Sequence, residues 1–108
     1  MSGPESERRR AVLGLLGLAR RAGALRLGAG PVFRALRHEG PGVVLLARDA
    51  GGDLAGKIQR ARGDSVVDDA LLDTDDLAGA LGRERLSVVS VHEPGFVSGL
   101  KRHLTDSR

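Results

Sequence analysis

The stretch RRAGALRLGAGPVFRALRHEGPGVVLLARDA, residues 20–50, decides the fold. It reads as the end of one helix, a short strand, a second helix and a buried strand. Gly23 ends the first helix, and Arg20 and Arg21 sit in its last turn, where the helix dipole favours cations. Residues 24–27 are enough only for a short edge strand. Gly30 and Pro31 open the next helix, Pro31 taking a first-turn position that needs no N–H donor. Val32, Ala35 and Leu36 make its apolar side, and Arg34, Arg37 and His38 fall together on the other. Gly40-Pro41-Gly42 stops it. Val43-Val44-Leu45-Leu46-Ala47 is then apolar without alternation, which predicts a strand covered by helices on both faces.

Upstream, a helix starts near Glu5, with Val12, Leu15, Leu16, Ala19 and Ala22 recurring at helical spacing. Gly14 and Gly17 weaken that helix by roughly 1 kcal/mol each relative to alanine, a cost that predicts close packing against another backbone. Downstream, Asp53 is expected to cap a third helix with Leu54, Ile58 and Ala61 inward, and Gly63 ends it. Residues 65–73 predict an irregular strand near a sheet edge, because Val66-Val67 favour a strand and Asp68-Asp69 do not. Thr74 is expected to cap a fourth helix, with Asp75 and Asp76 in its first turn, Leu77, Ala80 and Leu81 inward and Gly82 at its end. Residues 86–91 make another strand. Glu93-Pro94-Gly95 opens the last helix, striped by Phe96, Val97, Leu100 and Leu104. Strands alternating with helices predict a layered α/β/α domain with residues 43–47 at its centre. The chain divides into a flexible N-terminal tail, residues 1–8, and a single domain, residues 9–105.

The 108 residues suffice for one small domain. With aromatics at 2%, only Phe33 and Phe96, the core must be Leu, Val and Ala. The absence of cysteine excludes a disulfide scaffold and thiolate zinc sites, and it suits a reducing cytoplasm. No apolar run approaches the ~18 residues of a membrane span, and MSGPESERRR does not read as a signal peptide. Neither a membrane nor a cofactor is expected as a partner, and the expected location is the cytoplasm. Charge is uneven: residues 1–62 hold 12 Lys/Arg against 5 Asp/Glu, and residues 63–108 hold 5 against 9. A cationic face suits a phosphate backbone. The same arginine excess over lysine, 15 to 2, is also what a GC-rich genome would produce.

Catalytic patterns do not survive inspection. Gly51-Gly52-Asp53-Leu54-Ala55-Gly56-Lys57 fits G-x-x-x-x-G-K, but the hydroxyl that should follow is Ile58, and Asp53 would repel phosphate. Gly28-Ala29-Gly30 lacks the third glycine of a dinucleotide fingerprint, that position being Phe33. His38, His92 and His103 show no metal spacing. Asp68, Asp69, Asp73, Asp75 and Asp76 read as a solvated face. What remains is a basic edge. A helix opening at Gly30 offers free backbone N–H groups, and glycine lets a phosphate come close. The candidate RNA-binding residues are Arg20, Arg21, Gly28, Ala29, Gly30, Arg34, Arg37, Arg83 and Arg85; catalytic and metal-binding residues are expected to be absent.

LLGLARRAG (15–23), residues 28–50, Lys57, TDDLAGALG (74–82) and VHEPGFVSGL (91–100) together resemble the archaeal L-seven-Ae ribosomal-protein family. This is the superfamily of small kink-turn RNA binders that includes eukaryotic ribosomal protein L-thirty, and its bacterial YlxQ-type members are the nearest branch. The resemblance covers residues 9–104. It implies a three-layer α/β/α sandwich around a small mixed four-stranded sheet, and RNA binding without catalysis in a ribosomal or ribonucleoprotein setting, beside ribosomal or ribosome-assembly proteins. In members that bind kink-turns the second helix opens G-x-N-E-x-x-K. Ungapped, the glycine falls on Gly28, the asparagine on Gly30, the glutamate on Pro31 and the lysine on Arg34. Gly28 and Arg34 keep the chemistry; Gly30 and Pro31 lack the side chains that read the kink. The family's second contact region, the loop before the last strand, falls on residues 83–87. The alternative is a protein-interaction module of the same fold that has lost kink-turn readout.

Overall fold

In the computed structural model, which describes residues 3–107, helices and strands alternate in chain order. They are α1 (Pro4–Arg21), β1 (Leu25–Leu27), α2 (Ala29–His38), β2 (Val43–Leu46), α3 (Gly52–Ala61), β3 (Val66–Asp68), α4 (Thr74–Leu81), β4 (Val88–Val91) and α5 (Pro94–Lys101). The sheet order is β1-β4-β2-β3. β4 runs antiparallel to both neighbours, pairing Leu25 with Val91 and Val43 with Val91, while β2 and β3 are parallel, Val43 beside Val66. The sheet is therefore mixed and four-stranded, as expected.

Every residue of β2 is buried, and alternate side chains serve opposite layers. Val43 and Leu45 join Leu16, Leu77, Leu81 and Leu100 under α1, α4 and α5. Val44 and Leu46 join Val32, Ile58 and Val67 under α2 and α3. That division is the three-layer sandwich, and it explains why the run needed no polar alternation. β2 shares the centre with β4, which is buried along its whole length too.

Several local expectations are corrected. The boundary between residues 8 and 9 falls inside α1, which begins at Pro4 with Glu5 and Glu7 in its first turn. Arg8 Nε donates to the His103 carbonyl at 2.9 Å, tying this part of the expected tail to the C-terminal end; Met1 and Ser2 lie outside the described residues. Gly14 and Gly17 meet no close backbone, since a Cβ at either would find nothing within 4 Å. Ala22, Ala61 and Ala80, expected to face inward, are exposed. α3 is capped by Gly51, not Asp53, which lies in its first turn. The cap of α4 is Asp73, whose carboxylate accepts from Asp76 N at 2.8 Å while Asp76 accepts from Asp73 N at 3.0 Å. That reciprocal box outcompetes Thr74, which instead donates to Asp49. β3 stops at Asp68 because its Oδ1 accepts from the amides of Ala70 and Leu71, turning the chain.

The acidic face is largely consumed by these bonds, since Asp68, Asp73 and Asp76 all hold backbone amides. The C-terminal segment covers the open edge of β3: Ser107 N donates to the Val67 carbonyl at 2.8 Å and Thr105 N to Asp68 Oδ2 at 3.2 Å. Arg62, 7% exposed, pairs with Asp106 and donates to the Ser65 carbonyl. An edge strand covered in this way is shielded from pairing with other chains.

Three carboxylates are held below the usual range. Arg26 donates to Glu39 at 2.8 Å, the Thr74 hydroxyl and amide donate to Asp49 at 2.7 and 2.9 Å, and the amides of Phe96 and Gly95 donate to Glu93 at 2.9 and 3.0 Å. Each folded-state pKa lies below its unfolded value, so each contributes stability that is complete above the ordinary carboxylate range and is lost as pH falls through the lowered value. Melting temperature is expected to hold from neutral pH to about 5 and to fall below about 4. Glu39→Gln should lower it at neutral pH and shrink the acid-induced fall; stability that rises on acidification would contradict this assignment.

Candidate nucleic-acid interface

The turn into α2 is built on Gly28, whose φ of +93° and ψ of 166° is a conformation nearly confined to glycine. Its amide donates to the Val88 carbonyl at 2.9 Å, which fixes the start of α2 against β4. The helix therefore begins at Ala29, ahead of the expected opening at Gly30-Pro31, and no side chain caps it. The first-turn amides of a helix have no intrahelical acceptor. Here Pro31 has no N–H, so the outward donors are those of Ala29 and Gly30, both exposed. Arg34 Nη1 stands 3.9 Å from where a Cβ on Gly30 would sit. Its guanidinium thus folds back to the helix start, the direction in which helical side chains lean.

Sheet order brings the second region alongside. Gly82 caps α4 in the left-handed conformation, with φ of 67°, and Arg83 N donates to the Ala78 carbonyl at 3.0 Å. The following loop is pinned to the end of β2, where Ala47 N donates to the Ser87 carbonyl at 2.8 Å. Gly28, Ala29, Arg83 and Arg85 then line one cleft of about 270 Å³, with Leu54, Leu86 and Val88 among its apolar walls. Arg20 reaches from α1 to the end of α4, its Nη1 being 3.9 Å from the Cβ position of Gly82, but it does not line the cleft. Arg21 and Arg37 are exposed on their last helical turns, and no contact draws them to the cleft. Arg85 also borders a second cleft with Thr74, Asp75 and Glu84, so the cationic edge ends against carboxylates on that side.

The arginines divide by use. Arg26, Arg48 and Arg62 are engaged with Glu39, Asp73 and Asp106. Among the described residues no ion pair holds Arg20, Arg21, Arg34, Arg37, Arg83 or Arg85. The ion-paired arginines and the cleft arginines Arg83 and Arg85 are thus separate sets, which a count of basic residues does not reveal.

The G-x-x-x-x-G-K segment forms no phosphate-wrapping loop. Residues 52–57 are helical, and Lys57 Nζ lies 3.2 Å from Asp53 Oδ2, an i,i+4 pair on the helix surface. Among the described residues no group of three or more His, Asp or Glu side chains is placed to hold a metal, and no helix is long and apolar enough to cross a membrane. From sequence Leu54 reads only as an inward residue, yet it also walls the cleft with Gly28 and Ala29.

No protein-family model matches the chain, and no curated protein does. Among solved structures, the chain is similar, at 30% identity over 85% of its own length and 94% of the other chain with a TM-score of 0.77, to a protein with unknown function from Bacillus halodurans C.

Proposed function

We propose that the protein is a non-catalytic cytoplasmic binder of structured RNA, in a ribosomal or ribonucleoprotein setting, and that it contacts RNA through the start of α2 and residues 83–87. The observation that carries this is the shared cleft, where Gly28 and Ala29 at the start of α2 meet Arg83 and Arg85. Backbone amides at a helix start and unpaired guanidinium groups are both phosphate ligands. Gly30 has no side chain and Pro31 neither an N–H nor a polar side chain, so contacts here position a backbone and do not read base edges. The resemblance to kink-turn binders supports the ribosomal setting.

Ultraviolet crosslinking in cells, followed by mass-spectrometric mapping of the RNA-bearing peptides, tests the assignment. Crosslinks are expected within residues 28–34 and 83–88. Crosslinks confined to α1 and α5 would contradict it.

A further inference from the structure

We propose that the groove between α2 and α3 holds an unpaired nucleotide of the bound RNA, its base against Phe33 and its phosphates on Lys57 and Arg60. The proposal rests on the RNA-binding function above and adds a second contact to it. Phe33 is one of two aromatic residues in the chain, yet it is only partly buried. It packs on the α2/α3 core and also faces a cleft of about 470 Å³ shared with Lys57, Arg60 and Ala61. This cleft is shallow and open to solvent, a shape that suits a flat ligand lying against the ring and not one enclosed by the protein. Lys57, Arg60 and Ala61 are spaced i, i+3 and i+4, so they form one stripe of α3 beside the ring. An aromatic face flanked by cations suits a nucleobase with its backbone, because every base has a face to stack and a phosphate on either side.

The two clefts lie in series. The first holds Gly28 and Ala29 of α2 with Leu54 of α3, and the second holds Phe33 of α2 with residues 57–61 of α3. From Ala29 to Phe33 the helix advances about 6 Å. At about 3.4 Å per stacked nucleotide, a strand leaving the first cleft reaches Phe33 in about two nucleotides. Arg60 leans back along α3 by one turn, its Nη1 3.3 Å from where a Cβ on Gly56 would sit, and lines the second cleft beside Phe33. The partner of Lys57 is Asp53, and that exposed pair is weak enough to exchange for a phosphate.

Fluorescence titration with a short RNA hairpin, blunt or carrying a single-stranded adenosine tail at its 5′ or 3′ end, tests the groove. Wild-type protein is expected to bind one tailed hairpin about tenfold more tightly than the blunt one, the range of a single base stacked on an aromatic ring. Phe33→Leu, which keeps an aliphatic side chain in the core, should abolish that gain and leave blunt-hairpin affinity unchanged. Arg60→Ala, on an exposed side chain, should reduce the gain without altering folding. Equal affinity of wild type for blunt and tailed hairpins would overturn the groove alone, as would equal weakening of both by Phe33→Leu. Binding to neither hairpin would overturn the RNA-binding function and the groove with it.

Discussion

Arg83→Glu combined with Arg85→Glu is expected to lower affinity for structured RNA about a hundredfold at low salt. Under the proposed function the double variant removes two phosphate contacts and sets two carboxylates in their place, and a loss of about 1.4 kcal/mol at each position gives that factor. The slope of log affinity against log salt should flatten by about two, one for each lost phosphate partner. Both side chains are exposed and among the described residues neither is ion-paired, so the melting temperature should barely change. The same reversal at Lys101 and Arg102, at the end of α5 and outside the residues that line the cleft, should cost far less affinity. Filter binding and thermal melts of the two double variants make the comparison. Equal losses in both would show a diffuse charge effect and no cleft.

Gly42→Ala is expected to destabilise the fold by about 3–5 kcal/mol, a large share of the 5–15 kcal/mol typical of a domain. A Cβ there would lie 2.3 Å from the Val91 carbonyl oxygen and 2.6 Å from His92 Nδ1. The Val91 carbonyl cannot yield, because Val91 pairs with both Val43 and Leu25 in the middle of the sheet. His92 cannot yield cheaply either: its Nδ1 donates to the Gly40 carbonyl at 2.8 Å and its Nε2 accepts from the buried Ser90 hydroxyl at 2.9 Å. Gly42 is also bonded on both sides, its amide to Ser65 Oγ at 3.0 Å and its carbonyl to Val66 N at 2.9 Å. Overpacking costs about 1–3 kcal/mol, and each disturbed hydrogen bond adds about 1. Urea unfolding would measure the change, and a midpoint equal to wild type would show that the sheet has room at this point.

The layered fold was legible because it rests on patterns that one stretch carries by itself. Val43 to Ala47 has no polar face, so it needed cover on both sides, and it has it. Gly82 needed a left-handed turn and adopts one. Capping was less legible, because neighbouring side chains compete for the same amides. Asp73 won over Thr74 by closing a reciprocal box with Asp76, and Asp53 lost its cap because α3 starts at Gly52, two residues before the Leu54 start that an Asp53 cap implies. Gly14 and Gly17 misled for a different reason: a glycine allows close packing but does not require it.

The candidate site was half legible. The glycine-rich start of α2 and the arginines after α4 can be picked out singly. Their meeting depends on β4 lying between β1 and β2, and strand order is a property of the whole sheet that no local pattern encodes. The pairing of Phe33 with Lys57 and Arg60 was hidden for the same reason, since it follows from how α2 and α3 lie together on one face. Which arginines are free could not be read either, because Arg26, Arg48 and Arg62 meet partners 13 to 44 residues away.

Equilibrium binding of the purified protein to ribosomal RNA fragments, followed as salt rises, tests the central claim most directly. Phosphate contacts release counterions, so log affinity should fall linearly with log salt, and the Arg83→Glu, Arg85→Glu variant should bind weakly with a shallower slope. RNA affinity that is absent at low salt, or that salt and the double variant leave unchanged, would contradict the account.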